Sequence, residues 1–89
     1  MNFKLKLDAL VVIQQIDGQD VLFSKKTGDF FGINESAAFM LKILIDTDFQ
    51  STIRQASSSF NVDQETISSD LMELVDSLVE SKLAEKIPL

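Results

Sequence analysis

The feature that most constrains the fold is a change of hydrophobic period at Asn34. Before this residue, apolar side chains come in short β-branched runs, Val11–Ile16 and Val21–Ser24, which are typical of strands. After it, apolar residues recur at every third or fourth position, as they do on the buried face of a helix. Because the strand-type segments precede the helix-type segments instead of alternating with them, the sequence predicts an α+β fold.

Turn signals divide the first third of the chain into three strands. Asp17 and Gly18 follow the first apolar run and are typical of a two-residue hairpin turn. Gly28 ends a second turn, after which the segment Asp29–Ile33 again has the composition of a strand. Two successive tight turns predict a three-stranded antiparallel sheet in which the third strand, Asp29–Ile33, lies at an edge.

The rest of the sequence predicts three helices, at residues 35–46, 49–60 and 64–82. Asn34 and Asp63 precede the first and the third helix, and both can accept hydrogen bonds from free amides of the first turn. Residues 83–89 are expected to form a short tail, because proline at position 88 cannot continue a helix. A small sheet followed by three helices describes a winged helix-turn-helix.

The composition restricts the chemistry that the chain can perform. Its 89 residues are 45 % hydrophobic, which suits one domain over residues 1–89. Cysteine and histidine are absent, which excludes thiolate nucleophiles, histidine bases and Cys/His zinc sites. The carboxylates of the third helix have no evident pocket that would separate their pKa values, and no loop has calcium-binding spacing. We therefore expect a protein that is not an enzyme and that holds no metal and no cofactor.

Most of the net charge of −6 lies in residues 63–89, which carry seven acidic residues and two lysines. An acidic helix repels phosphate, so we expect no nucleic-acid binding. The acidic residues form either a solvated helix face or a rim that attracts a basic partner. The alternative function is a winged-helix DNA-binding regulator, whose basic patch would come from four lysines on or near the sheet: Lys4, Lys6, Lys25 and Lys26.

No segment is typical of a signal peptide, and the uncharged run Ala9–Ile16 is too short to span a bilayer. We therefore expect a cytoplasmic protein with no membrane partner.

The predicted third strand has the sharpest functional signal. Phe30 and Phe31 are adjacent, so they point to opposite faces of the sheet. Ile33 shares a face with Phe31, and this face is expected to bury against the helices. Phe30 then lies on the other face with Gly32, either packed under the N-terminal segment or the tail, or free to contact a ligand. An unpaired edge strand is a template for one more strand, from a peptide or from a second copy of the chain in a homodimer.

Two blocks of sequence resemble the PqqD-like family of peptide-recognition domains. The run Thr27–Ala37 is similar to the family signature, in which a glycine turn and an aromatic strand lead through an aliphatic–asparagine pair into the first helix. The run Phe60–Asp63, with the apolar positions that follow it up to Leu83, resembles the second block. The resemblance covers residues 9–87. Phe39 departs from it, since a tryptophan often stands there, and this difference is expected to affect core packing and not the binding groove.

The resemblance implies a function. Proteins of this kind are recognition elements that bind the leader segment of a ribosomally made precursor peptide and deliver it to a modifying enzyme or leader peptidase. The leader adds as a strand beside the third strand, in a groove closed by the third helix. Carried onto this chain, the implied peptide-binding residues are Asp29, Phe30, Phe31, Gly32, Ile33, Ile67, Asp70, Leu71 and Leu74. A module that docks only to a partner enzyme is a further alternative.

Overall fold

The structure, a computed structural model, describes all residues 1–89 and contains five strands and three helices. In chain order these elements are β1 (Phe3–Leu7), β2 (Val11–Ile16), β3 (Gln19–Ser24), β4 (Phe30–Gly32), α1 (Glu35–Asp46), α2 (Phe49–Phe60), α3 (Gln64–Glu80) and β5 (Ala84–Pro88). The α+β architecture is confirmed: a three-stranded antiparallel sheet precedes three helices. A pair of terminal strands is added to it.

The three-stranded sheet has the order β2-β3-β4, with both pairs antiparallel. The β2–β3 turn is tight because Asp17 and Gly18 both have positive φ, 51° and 79°, which matches the right-handed twist of the flanking strands. Gly28 also has positive φ, 79°, in the turn before β4. The predicted third strand is β4, and it lies at an edge as expected, although it is limited to Phe30–Gly32.

The terminal strands β1 and β5 pair antiparallel and form a second, two-stranded sheet. The sequence predicted only a short tail at residues 83–89 and missed the strand β5 within it. Phe3 and Leu5 of β1 are buried, whereas Lys4 and Lys6 between them are exposed. This alternation is the signature of a strand with one buried face. Pro88 is compatible with it because proline is tolerated where its missing N–H is not needed in the ladder.

The three helices begin and end close to the predicted residues, because their caps are encoded locally. Asn34, Asp48 and Asp63 are the N-caps, and each side chain accepts a hydrogen bond from a backbone N–H three residues later. Helix α3 ends at Glu80, two residues before the predicted end. Lys82 there adopts φ 61°, and the N–H of Leu83 donates to the carbonyl of Leu78, which closes the helix as a left-handed C-cap.

The core lies where the helices meet the inner face of the sheet and the buried face of β1. Its eighteen buried apolar residues form one cluster. The most deeply buried large side chains are Leu22, Leu41, Leu44, Leu71 and Val75. Burial of one such side chain stabilises the fold by about 1.5–3 kcal/mol. No helix of the structure combines the length and the hydrophobicity that crossing a membrane requires.

Candidate peptide-binding site

The unpaired side of β4, which we call the open edge, presents backbone hydrogen-bonding groups. The N–H of Ile33 donates to the carbonyl of Asp20 at 3.0 Å, and the N–H of Ser24 donates to the carbonyl of Asp29 at 3.0 Å. In an antiparallel pair, residues alternate between pointing both backbone groups at the partner and pointing both away. Since Asp29 and Ile33 bond to β3, the N–H and C=O groups of Phe30 and Gly32 point away from it, toward the open edge.

Phe30 lies on the outer face of the sheet, the face turned away from the helices. It pairs with Phe23 of β3, and the two rings stack with centroids 4.5 Å apart. The Phe30 side chain is 55 % exposed. Phe30 therefore does not pack under the N-terminal segment or the tail, because more than half of it is exposed and its ring contact is with Phe23.

Phe31 lies on the inner face, as expected, but it is not buried. It pairs with Leu22, which is completely buried, whereas Phe31 itself remains 37 % exposed. Phe31 remains partly exposed because it lies at the open edge, where no further strand packs beside it. Ile33 beyond the strand is buried, as expected, and belongs to the core cluster.

A groove runs between the first turns of α1 and the middle of α3, and we call it the α1–α3 groove. Its lining residues are Asn34, Ser36, Ala37, Met40, Asp70, Glu73, Leu74 and Ser77. The groove begins at Asn34, two residues beyond Gly32, so the open edge leads toward it along the chain. Its wall opposite α3 is formed by α1, whereas the resemblance to the PqqD-like family implied a groove between the third strand and the third helix.

The predicted α3 residues divide into two groups. Asp70 is exposed and Leu74 is half-buried, and both line the α1–α3 groove. Ile67 and Leu71 are buried in the core, at 4 % and 0 % exposure, so their side chains lie beneath the groove and do not line it. The helical period explains the division, because Ile67 and Leu71 are four residues apart and share the inward face of α3.

The electrostatics of the groove come from exposed carboxylates. Asp70 and Glu73 are both exposed and lie on its α3 side. The ion pair in the structure, between Lys86 Nζ and Asp76 Oδ1 at 3.4 Å, lies outside the groove. The carboxyl groups with shifted pKa values are helix caps: hydrogen bonds from backbone N–H groups lower the pKa of Asp48 and of Asp63. No group of acidic residues in the structure is arranged to hold a metal ion.

Some residues beside the site were missed or misplaced by sequence reasoning. Ala37 and Met40, which sequence reasoning did not place at the site, line the groove from α1, although Met40 is also buried and belongs to the core cluster. Phe39 was expected to affect core packing, but its side chain is 37 % exposed. Its ring meets that of Phe60 edge-on, with centroids 5.1 Å apart, at the surface between α1 and α2. Phe39 lies on the surface of α1, because the face of this helix that packs into the core carries Ala38 and Leu41.

Two solved structures have the same fold as this chain. One is described as lasso peptide synthetase B1 complexed with the leader peptide. It has a TM-score of 0.84 and 24 % sequence identity, covering 92 % of this chain and 98 % of its own. The other is TbiB1 in complex with the TbiA(beta) leader peptide, with a TM-score of 0.79 and 25 % identity, covering 90 % of this chain and 94 % of its own. No curated protein matches the chain by sequence.

A family assignment comes from the sequence itself. The sequence model of the PqqD family, described as coenzyme PQQ synthesis protein D, matches residues 19–84. This range contains both blocks that indicated the resemblance, the aromatic strand with the start of α1 and the α2–α3 turn with the apolar face of α3. The match covers well over half of the 89 residues, and the chain therefore belongs to the PqqD family.

Proposed function

We propose that this protein binds the leader segment of a ribosomally synthesised precursor peptide and delivers it to a modifying enzyme or leader peptidase. The observation that carries the proposal is the open edge of β4, where Phe30 and Gly32 point their backbone groups away from β3. An extended peptide satisfies such groups by adding a strand. The two proteins of the same fold described above were solved with leader peptides, which supports a peptide as the ligand.

In this proposal the leader continues from the open edge into the α1–α3 groove. Backbone hydrogen bonds to Phe30 and Gly32 set its register, and the exposed parts of Phe31 and Leu74 contact its apolar side chains. Asp70 pairs with a lysine or arginine of the leader. The buried members of the predicted set, Ile33, Ile67 and Leu71, act indirectly by holding β4 and α3 in place.

The first experiment measures binding by isothermal titration calorimetry, with the synthetic leader peptide of the precursor encoded nearest to this protein's own gene. We expect Gly32→Pro to abolish or strongly weaken binding, because proline lacks the N–H that points to the open edge. Gly32→Ala is the matched control: it keeps the N–H, and its Cβ would meet only the Gln19 amide, at 3.9 Å. Circular dichroism establishes that both variants fold.

Two outcomes would contradict the proposal. Equal affinity of Gly32→Pro and Gly32→Ala for the leader would exclude strand pairing at β4. Micromolar binding of duplex DNA that weakens steeply with added salt, without leader binding, would favour the winged-helix regulator. The exposed Lys25 and Lys26 in the β3–β4 turn are the residues that such a regulator would use. Binding of the partner enzyme alone would instead favour a simple docking module.

A further inference from the structure

The outer face of the sheet has a gap at its open edge, which we call the Gly32 hollow. Gly32 pairs with Val21 and lies on the same face as Phe30, two residues earlier in β4. A Cβ placed on Gly32 would have one neighbour within 4 Å, the Nε2 atom of Gln19 at 3.9 Å. The φ of Gly32 is not positive, so the backbone does not require glycine here. The absence of a side chain therefore leaves space that no part of the chain fills.

The two walls of the Gly32 hollow differ in chemistry. On one side stands Phe30, whose ring is fixed by stacking on Phe23 at 4.5 Å. On the other side stands Gln19, whose amide donates to the carbonyls of Ile33 at 2.9 Å and of Asp20 at 3.3 Å. Residues two apart along a strand are about 7 Å apart. A large side chain lying across Gly32 therefore reaches the ring of Phe30, which gives the hollow an aromatic wall.

The location of the Gly32 hollow at the edge of the sheet determines which side chains can reach it. It lies on the last strand of the sheet, so a side chain can enter from a strand added at the open edge. In sheets, a glycine is often covered by a bulky side chain of the neighbouring strand, and such a side chain also reaches the diagonal residue. A residue placed beside Gly32 on an added strand would have Phe30 as this diagonal neighbour.

We propose that the leader residue beside Gly32 carries a large aromatic or aliphatic side chain, which lies across Gly32 and against the ring of Phe30 on the outer face. This inference rests on the proposed function and adds a requirement on the leader sequence. The protein then contacts side chains on both faces of the leader strand. The inward side chains contact the α1–α3 groove, and one outward side chain fills the Gly32 hollow. Leaders that lack a bulky residue at this outward position bind weakly.

The test is a size-complementation experiment using the synthetic leader peptide of the precursor encoded nearest to this gene, labelled with fluorescein and followed by anisotropy. Gly32→Val fills the hollow while keeping the backbone N–H, and valine favours strands. We expect Gly32→Val to lower the affinity for the unchanged leader by about tenfold or more. In an alanine scan of the leader, alanine at the position beside Gly32 makes room for the valine side chain. This one peptide variant should therefore bind Gly32→Val at least as well as it binds the parent protein.

Phe30→Thr provides a second measurement that does not depend on Gly32. It removes the aromatic wall, and the loss of affinity should be non-additive with alanine at the same leader position. Ile87→Thr is the matched control, since Ile87 is an exposed apolar residue of β5, which belongs to the terminal two-stranded sheet and not to the sheet of β4. We expect it to leave the affinity unchanged within about twofold, as for surface positions remote from the contact.

The outcomes separate this inference from the proposed function. If Gly32→Pro abolishes leader binding but no leader position couples to Gly32→Val or to Phe30→Thr, the leader pairs with β4 and the Gly32 hollow stays empty, which overturns the inference alone. If Gly32→Pro binds the leader like the parent protein, strand addition at β4 is wrong and the inference fails with it.

Discussion

At the scale of single residues, the site combines side chains that touch solvent with side chains that lie directly beneath them. Leu71 and Leu74 show the contrast: both lie on α3, three residues apart, but Leu71 is completely buried and Leu74 lines the α1–α3 groove. Both were predicted as peptide-binding residues, and the structure shows that they differ in burial. Substitutions at the two positions should therefore affect different properties.

We expect Leu71→Ala to lower the free energy of unfolding by about 2–5 kcal/mol, because it leaves a cavity in the core. Leu74→Ala removes a half-buried side chain, so its cost should be below about 1.5 kcal/mol, but it should weaken leader binding. Urea denaturation and calorimetry on both variants check this. A Leu71→Ala protein that is as stable as the parent would contradict the assignment of Leu71 to the core.

Asp70 and Glu80 provide a matched pair of acidic residues on α3. Asp70 lines the α1–α3 groove and Glu80 does not. If Asp70 meets a leader cation there, Asp70→Asn should weaken binding by about 1–3 kcal/mol, the scale of a charge-assisted hydrogen bond. Glu80→Gln should change the binding free energy by less than about 1 kcal/mol. The effect at Asp70 should also depend less on salt, because contacts in a groove are screened less than exposed ones.

Titration of both variants at two salt concentrations distinguishes the roles. Equal, small and salt-sensitive changes would mean that Asp70 is an ordinary solvated residue of an acidic helix.

At the scale of elements, the helices that position the site begin at aspartate or asparagine caps. Backbone N–H groups of Ser51 and Thr66 donate to Asp48 and Asp63 and hold the pKa of each carboxyl below its ordinary value of 3.8. A lowered pKa in the folded state means that the charged form favours folding. The caps of α2 and α3 therefore make the stability of the fold dependent on pH in the acidic range.

The sign of this dependence follows from the lowered pKa values. The contribution of both caps is fully present above the pKa of the unfolded chain, about 4, and it is lost as the pH falls through the lower folded values. We expect the urea concentration at which half of the parent protein is unfolded to decrease as the pH is lowered below 4. In a variant with Asp48→Asn and Asp63→Asn, which keeps hydrogen-bonding caps without titrating carboxylates, this fall should be shallower. Identical acid profiles of the two proteins would show that the caps do not contribute.

At the scale of the whole molecule, the open edge lies on a sheet that is packed against the helices on its inner face only. Adding the leader would extend this sheet by one strand and would cover the exposed parts of Phe30 and Phe31. A leader that is disordered when free must order on binding. Binding should therefore show a favourable enthalpy, an opposing entropy and a negative change in heat capacity, since apolar surface becomes buried.

Calorimetry at several temperatures measures this signature. Gly32→Pro, in which strand addition is blocked, should give no comparable heat. Entropy-driven binding with no change in heat capacity would contradict strand addition.

The amino-acid sequence by itself determined the features that depend on near neighbours. The hairpin turn at Asp17 and Gly18 and the helix caps follow from residues that are close in the chain. The change of period at Asn34 likewise predicted the order of sheet and helices correctly. Local hydrogen bonds and side-chain periodicity are sufficient for these features because they act over three or four residues.

The tertiary structure alone decided the features that join distant segments. Strand β1 pairs with β5, more than seventy residues away. A local sequence pattern indicates a strand but does not determine which distant strand pairs with it. The same holds for the two walls of the α1–α3 groove and for the surface position of Phe39 against Phe60. Periodicity shows that a side chain lies on an apolar face, but the packing of neighbouring helices decides which apolar side chains are buried and which remain available to a ligand.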